Sequence, residues 1–157
     1  MESWPPEVER VASFLRMAAV DARLEEFSVG TPTAVEAAEA IGCDLSQIVK
    51  SLVFVCDGKF VLALVPGDRR ADEAKVAGAV GAVSARVARP DEVRRATGFE
   101  PGAVAPFPRT EVDRVLLDRL LLGHEVVWTG AGSSRHMASI TPGDLLRLAR
   151  AEQADLV

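Results

Sequence analysis

The sequence predicts a mixed α/β (α+β) fold in a single domain that spans residues 1–157, and three observations lead to this class. Helical and strand patterns are interspersed along the chain, an apolar β-hairpin stands out among them, and no repeat or low-complexity linker separates them. Hydrophobic residues make up 48% of the chain, which is enough for a real core. We expect a mixed, largely antiparallel sheet, or a partly closed barrel, flanked by helices.

Charge and composition exclude several classes of protein. The net charge of −5 argues against a large nonspecific grip on a nucleic-acid backbone, although contact at one end of a nucleic acid stays open. Cys43, Cys56 and the two histidines fit neither a zinc pattern nor a disulfide framework, so we expect no metal and no cofactor. The apolar runs are too short for a membrane span, and the first residues lack a signal-peptide pattern. We therefore expect a cytoplasmic protein without a membrane partner.

The first part of the chain predicts two helices around a short strand. Apolar residues recur with a helical period over residues 8–19, directly after two prolines that suit a first turn. Residues 25–29 alternate polar and apolar side chains, as a short strand does. Thr33 and Glu36 form a capping box that opens a helix, which Gly42 ends. Residues 44–47 can form a further single turn.

The clearest local signal is a β-hairpin over residues 50–65. Its two arms are apolar at nearly every position, and Asp57-Gly58 between them is typical of a type I′ turn. Since both faces are apolar, we expect both to be covered, with helices on one side. Lys50 begins the first arm. Its ammonium either snorkels to the surface or stands at the mouth of a pocket, facing a phosphate or an oxyanion.

The second half of the chain predicts three helices and three strands. Helices are expected at residues 71–80 and 90–97, strands at 112–117, 125–128 and 137–140, and a last helix behind the N-cap Thr141. Residues 130–134 are predicted to be a tight turn, because the Gly130-Ala131-Gly132 stretch lacks the third glycine of a dinucleotide fingerprint. Asp118 lies among leucines, which favours a structural hydrogen bond over catalysis.

An apolar loop at residues 97–107 is a candidate pocket wall. Its glycines and prolines cannot continue a helix or lie in a central strand, yet Phe99, Val104 and Phe107 argue against a solvated linker. The loop is either an ordinary buried turn or a wall that presents fixed N–H groups to a ligand.

The other polar candidates are weaker. His136 has no identifiable acidic partner in the sequence and could be a base, a hydrogen-bond donor or a surface residue. Ser133 and Ser134 do not lie in a nucleophile elbow. The Arg69-Arg70 and Arg94-Arg95 pairs are either solvated or in contact with a nucleic-acid phosphate. The residues by themselves do not name a reaction.

Taken together, these motifs resemble the YbaK/prolyl-tRNA-synthetase-associated domain family. The resemblance rests on residues 37–42 and 48–54, residues 62–68 with Lys75, Thr97-Gly98, the G-x-x-x-P motif Gly102 to Pro106, Asp118, Gly130-Ala131-Gly132 and residues 140–145. It covers nearly the whole chain from about residue 25 onward.

The resemblance implies a trans-editing hydrolase that deacylates mischarged tRNA, with Ala- or Cys-tRNA-Pro as the expected substrate. Water, the neighbouring ribose hydroxyl or a cysteine substrate's own thiol would attack the ester. A pocket that selects proline cannot strongly reject a smaller amino acid, because one methylene in an apolar pocket changes the binding free energy by only about 1–3 kcal/mol. A second site that hydrolyses the wrong ester is therefore needed. The expected partners are the acceptor end of mischarged tRNA and prolyl-tRNA synthetase. Two alternatives remain: a noncatalytic module that binds tRNA or the synthetase, and a generic small-ligand domain.

The resemblance also assigns site residues. Lys50 would stabilise charge, and the N–H groups of Gly102, Ala103 and Val104 would bind the aminoacyl carbonyl or its oxyanion. The expected substrate-binding residues are Phe27, Thr97, Gly98, Ala105, Pro106, Gly130, Gly132, His136 and Ala138. Cysteine-specific members tend to carry an acid near position 137, where this chain has Met137. The amino acid that is removed therefore stays open between alanine, cysteine and another small residue.

Overall fold

The computed structural model describes residues 4–27, 30 and 33–157. Its helices are α1 (Pro6–Ala18), α2 (Ala34–Ile41), α3 (Glu73–Val80), α4 (Pro90–Thr97) and α5 (Pro142–Leu148), with short 3-10 turns at Leu45–Gln47 and Arg119–Gly123. Its strands are β1 (Arg23–Glu26), β2 (Val49–Cys56), β3 (Lys59–Pro66), β4 (Ala85–Val87), β5 (Arg114–Asp118), β6 (Val127–Ser133), β7 (His136–Ile140) and β8 (Ala151–Ala154). Residues 28 and 29, the end of the first predicted strand, lie outside the described residues.

The strands form two sheets, and the predicted mixed α/β class is confirmed. The larger sheet has the order β4-β2-β3-β5-β8, in which β2 runs antiparallel to β3 and β4 while β3, β5 and β8 are parallel. The smaller sheet has the order β1-β7-β6 and is antiparallel. The sheets do not close into a barrel. A parallel bridge between Ile48 and Trp128 connects them.

The hairpin of β2 and β3 is the centre of the larger sheet. Asp57 and Gly58 have φ angles of 48° and 83°, which confirms the predicted type I′ turn. The two faces of the hairpin are covered as the apolar pattern predicts. One face packs against α3 through Val76, and the other packs into the main core, which includes Val11 of α1 and Ala96 of α4. Two-sided burial explains why the arms are continuously apolar rather than alternating.

The predicted helix boundaries are largely confirmed, and Thr33 and Thr141 act as the N-caps that the sequence predicts. The Thr33 hydroxyl oxygen accepts a hydrogen bond from the Glu36 N–H and donates its own proton to the Glu36 carboxylate at 2.8 Å. Gly42 ends α2 in the left-handed region, with φ 80°. Thr141 accepts from the Asp144 N–H at the start of α5.

The predicted turn at residues 130–134 is wrong. Residues 130–133 are the end of β6, with a bulge in its pairing to β7, and the chain reverses at the next two residues. The glycines are needed for close approach instead. A Cβ at Gly130 would lie 2.6 Å from the Val104 carbonyl oxygen, and one at Gly132 would lie 2.7 Å from that of Glu7. Strand β6 is therefore enclosed between the 97–107 loop and α1.

Asp118 has the structural role that its position predicts. Its buried carboxylate accepts hydrogen bonds from the Leu120 N–H at 2.9 Å and from the Leu156 N–H at 2.8 Å. These bonds tie the end of β5 to the turn that follows it and to the segment beyond β8. In the described part of the chain, no helix is long and apolar enough to cross a membrane.

Candidate functional site

A cavity of about 380 Å³ opens where the two sheets meet. It is lined by the first residues of β2, the start of α2, the loop at residues 102–104, the end of β6 and the start of β7. Five of the residues that the sequence predicts for the site share this wall: Lys50, Gly102, Val104, Gly130 and His136. The volume lies at the lower end of the range for small-molecule sites.

Lys50 contributes a cation to the wall. It lies at the start of β2, opposite Val65 of β3, and its Nζ donates a hydrogen bond to the Arg69 carbonyl oxygen. Partial burial lowers the pKa of Lys50 below its ordinary value of 10.5, while Asp68 acts in the opposite direction. Because the ordinary value is so high, the side chain keeps its proton at neutral pH and can stabilise negative charge on a ligand.

The loop contributes backbone donors. Gly102 has φ 83°, a left-handed conformation that glycine adopts without strain. The Ala103 N–H donates to the Glu100 carbonyl at 2.9 Å, and the Ala103 carbonyl accepts from the Gly132 N–H at 3.1 Å. Ala103 thus holds the loop in place and is not part of the wall. Among the described residues, the N–H groups of Gly102 and Val104 have no acceptor, so these two are free to bind a ligand oxygen.

His136 contributes a buried imidazole, with 4% of its surface exposed. Its Nδ1 lies 2.6 Å from the Ser133 hydroxyl oxygen, in a hydrogen bond whose direction depends on the tautomer. Its Nε2 is buried, has no hydrogen-bond partner among the described residues and lies 3.6 Å from a Glu26 carboxylate oxygen. Trp4 packs edge-on against the ring, with the centroids 5.5 Å apart.

Burial holds the pKa of His136 below its ordinary value of 6.5, against the opposing attraction of Glu26. The imidazole is therefore neutral at pH 7. Glu26 is the acidic partner that the sequence does not reveal, since it comes opposite His136 only through the pairing of β1 with β7. Ser51 also lines the cavity and was missed; its buried hydroxyl has no partner in the described part of the chain.

The remaining predicted site residues lie around the cavity but not on its lining. Thr97 donates to the Val93 carbonyl at 2.7 Å and accepts from the Phe99 N–H at 3.1 Å, and Gly98 caps α4. Both shape the entry to the loop. Phe27 packs behind the apolar part of the wall, next to Ile48 and Met137. Ala105, Pro106 and Ala138 are buried, and Gly132 contacts α1. Their roles in substrate binding stay predictions.

In the described residues, no three histidine, cysteine or acidic side chains come together in a way that could hold a metal ion. The residues that line the cavity carry an ammonium, hydroxyls, a neutral imidazole and two backbone N–H groups without an acceptor among the described residues. Such a set stabilises developing negative charge on an oxygen and can position water.

Comparison with known proteins identifies a family and several relatives of this chain. Residues 29–148 match the family model of the aminoacyl-tRNA editing domain. A crystal structure described as a proposed trans-editing enzyme for prolyl tRNA synthetase is 40% identical, with a TM-score of 0.89 and 98% of each chain covered. The uncharacterised protein YwhH of Bacillus subtilis (strain 168) is 37% identical over 121 residues, which are 76% of either chain. A proline–tRNA ligase of Nitratidesulfovibrio vulgaris (strain DP4) is 38% identical over 94 residues, 60% of this chain and 16% of the ligase.

Proposed function

Because this chain belongs to the aminoacyl-tRNA editing domain family, we propose that it hydrolyses the ester of mischarged tRNA in trans. The proposed substrates are alanyl- and cysteinyl-tRNA-Pro, which prolyl-tRNA synthetase would produce by charging a residue as small as proline or smaller. The proposed substrate also places the protein in the cytoplasm, where translation takes place.

One observation carries the proposal: Lys50, Gly102 and Val104 line the same cavity, and the N–H groups of Gly102 and Val104 have no acceptor among the described residues. Attack on an aminoacyl ester converts its carbonyl oxygen into an oxyanion, and fixed donors in a partly enclosed site stabilise that charge. Each such donor typically contributes about 10²–10³ to the rate. In this arrangement the two N–H groups hold the carbonyl oxygen and Lys50 balances the charge of the intermediate or of a nearby phosphate.

The reaction needs no covalent enzyme intermediate. Water adds to the carbonyl carbon, or the neighbouring ribose hydroxyl first accepts the acyl group and water then releases it. In the final step the C–O bond to the terminal adenosine breaks, the ribose oxygen takes a proton and the amino acid leaves. An aminoacyl ester is already activated, so positioning and oxyanion stabilisation supply the needed acceleration.

A deacylation panel tests the proposal. tRNA-Pro charged with alanine, cysteine, serine or proline is incubated with the protein, and the released amino acid is followed over time. We expect release from the alanyl or cysteinyl ester and none from prolyl-tRNA-Pro. A mock purification from cells that lack the protein measures the background of contaminating hydrolases. Intact alanyl, cysteinyl and seryl esters would contradict the proposal.

The alternative, a noncatalytic module, predicts a different result in the same experiment. Such a module would form a complex with tRNA or with prolyl-tRNA synthetase and would leave every ester intact. A general small-ligand site predicts that tRNA does not compete for the cavity. The free donors beside Lys50 favour the hydrolase, because binding without turnover does not require an oxyanion site.

A further inference from the structure

Two arginines next to the cavity have no side-chain partner within the described residues. Arg69 and Arg70 are exposed and lie in the turn that follows β3. Most other arginines are engaged: Arg16, Arg86, Arg89, Arg94, Arg114, Arg119, Arg135 and Arg147 form ion pairs, Arg10 and Arg95 lie over phenylalanine rings, and Arg109 donates to backbone carbonyls.

The turn is fixed against the wall of the cavity. The Gly67 N–H donates to the Ile48 carbonyl at 2.7 Å, and a Cβ at Gly67 would lie 3.1 Å from the Cβ of Ala34 and 3.2 Å from that of Ile48. Ala34 and Ile48 both line the cavity. The Lys50 Nζ donates to the Arg69 carbonyl, which holds the turn at the rim on the Lys50 side.

The charge at this rim is positive on balance. Two acids lie between β3 and α3: Asp72 caps α3 by accepting from the Lys75 N–H, and Asp68 stands against Arg69, Arg70 and the neighbouring Lys50. On another part of the rim, Arg135 is occupied by the Phe27 carbonyl at 3.1 Å and by Glu26 at 3.8 Å. In a protein with a net charge of −5, an anionic polymer would meet the least repulsion at a rim whose arginines are not already neutralised.

We propose that Arg69 and Arg70 bind phosphates of the single-stranded 3′ end of tRNA while its terminal adenosine enters the cavity. This inference rests on the proposed editing function and names the surface through which the substrate would bind. Guanidinium groups suit the task, since they bind phosphate oxygens in a bidentate manner and stay charged. The phosphates nearest to the ester must leave the cavity across its rim, and this rim offers the free cations.

The test compares two double variants that each remove two positive charges. Arg69→Gln/Arg70→Gln removes the proposed contacts. Lys59→Gln/Arg150→Gln is the matched control, because both of its side chains are exposed and without ion pairs in the described structure, and neither lines the cavity. Lys59 lies at the opposite end of the hairpin from Lys50, and Arg150 precedes β8 at the far edge of the sheet. The probe is an RNA hairpin with a single-stranded ACCA 3′ end that carries no amino acid. Its binding is titrated over a salt series.

We expect the Arg69→Gln/Arg70→Gln variant to bind the RNA about tenfold more weakly at low salt, with the control double close to wild type. The slope of log affinity against log salt should fall by about 1.4, since each single-strand phosphate contact contributes roughly 0.7. Equal binding by the two double variants, or no binding of the RNA by wild type at low salt, would overturn the proposal.

Hydrolysis of mischarged tRNA, measured in parallel, separates this inference from the proposed function. If wild type leaves the esters intact but the arginine double variant still loses RNA affinity, the editing proposal fails and the binding surface stands. If wild type hydrolyses the esters and the arginine double variant matches the control in both assays, the binding surface fails and the editing proposal stands.

Discussion

The cavity has two polar walls that differ in charge, although burial acts on both in the same direction. Lys50 extends from the larger sheet and is held by a backbone carbonyl, whereas His136 extends from the smaller sheet and is held by the Ser133 hydroxyl. Burial lowers the pKa of both groups. Lys50 starts from 10.5 and stays charged, while His136 starts from 6.5 and becomes neutral. One wall therefore supplies charge and the other supplies neutral hydrogen-bonding groups.

Removing the charge of Lys50 should have the largest effect on ester hydrolysis. We expect Lys50→Ala to lower kcat/KM for ester hydrolysis by about 10²–10³, the usual loss when one oxyanion-stabilising group is removed. The matched control is Lys59→Ala, an exposed lysine at the other end of the same hairpin. Single-turnover rates on alanyl-tRNA-Pro make the comparison. The loss of a single surface contact changes a rate by about threefold or less. A Lys50→Ala rate within about threefold of the Lys59→Ala rate would therefore show that the charge of Lys50 does not contribute to hydrolysis.

Displacing the loop that lies between the walls should have the next largest effect. A Cβ at Gly130 would lie 2.6 Å from the Val104 carbonyl oxygen, so Gly130→Ala must push the loop and its free donors away. We expect a loss of about 1–3 kcal/mol in stability and a fall in hydrolysis of about tenfold. Thermal unfolding and deacylation rates measure the two effects.

Gly78 provides the control for that substitution, because a Cβ there meets no atom within 4 Å and the residue lies inside α3. Gly78→Ala should raise stability by about 0.5–1 kcal/mol and leave hydrolysis unchanged. Equal stability changes in the two variants would contradict the close packing of β6 against the loop.

Protonation of His136 should have a smaller effect, a loss of stability that depends on pH. The pKa of His136 is lower in the folded state than its unfolded value near 6.5, so the unfolded chain takes up this proton first as the pH falls. Stability that is present above pH 6.5 is therefore lost below it, by up to about 1.4 kcal/mol per pH unit until the folded pKa is reached.

We expect His136→Gln to show a shallower loss of stability than wild type between pH 8 and pH 5 in urea titrations. Lys50→Gln should keep the wild-type slope, because Lys50 is protonated in both states over this range. Identical slopes for wild type and His136→Gln would mean that folding does not shift the pKa of the imidazole, and would contradict the effect of burial on this side of the cavity.

The sequence predicts the parts of the site that depend on local patterns. The hairpin follows from apolar arms around Asp57-Gly58, and Lys50 is found because it begins an apolar strand. The loop is found because its glycines and prolines exclude helix and strand while its side chains are apolar. Each of these signals lies within a few consecutive residues.

The parts that the sequence misses depend on contacts between distant segments. Gly130 and Gly132 look like a turn, but they serve the close approach of β6 to the loop and to α1. Strand β8 has the composition Ala-Glu-Gln-Ala, which suits a helix, and it is a strand because it pairs with β5. Glu26 reaches His136 only through strand pairing. Local propensity contains none of this information.

The junction between the sheets has a consequence for how this fold can diversify. Ile48 and Trp128 join the sheets through an isolated bridge, and the Gly132 N–H to Ala103 carbonyl bond attaches the loop to the smaller sheet. Among the described residues no strand ladder crosses this seam, so a substitution here can change the packing between the sheets without removing a pairing within either one. The width of the cavity and the stability of the hairpin that carries Lys50 therefore depend on different contacts, and the first can vary separately from the second.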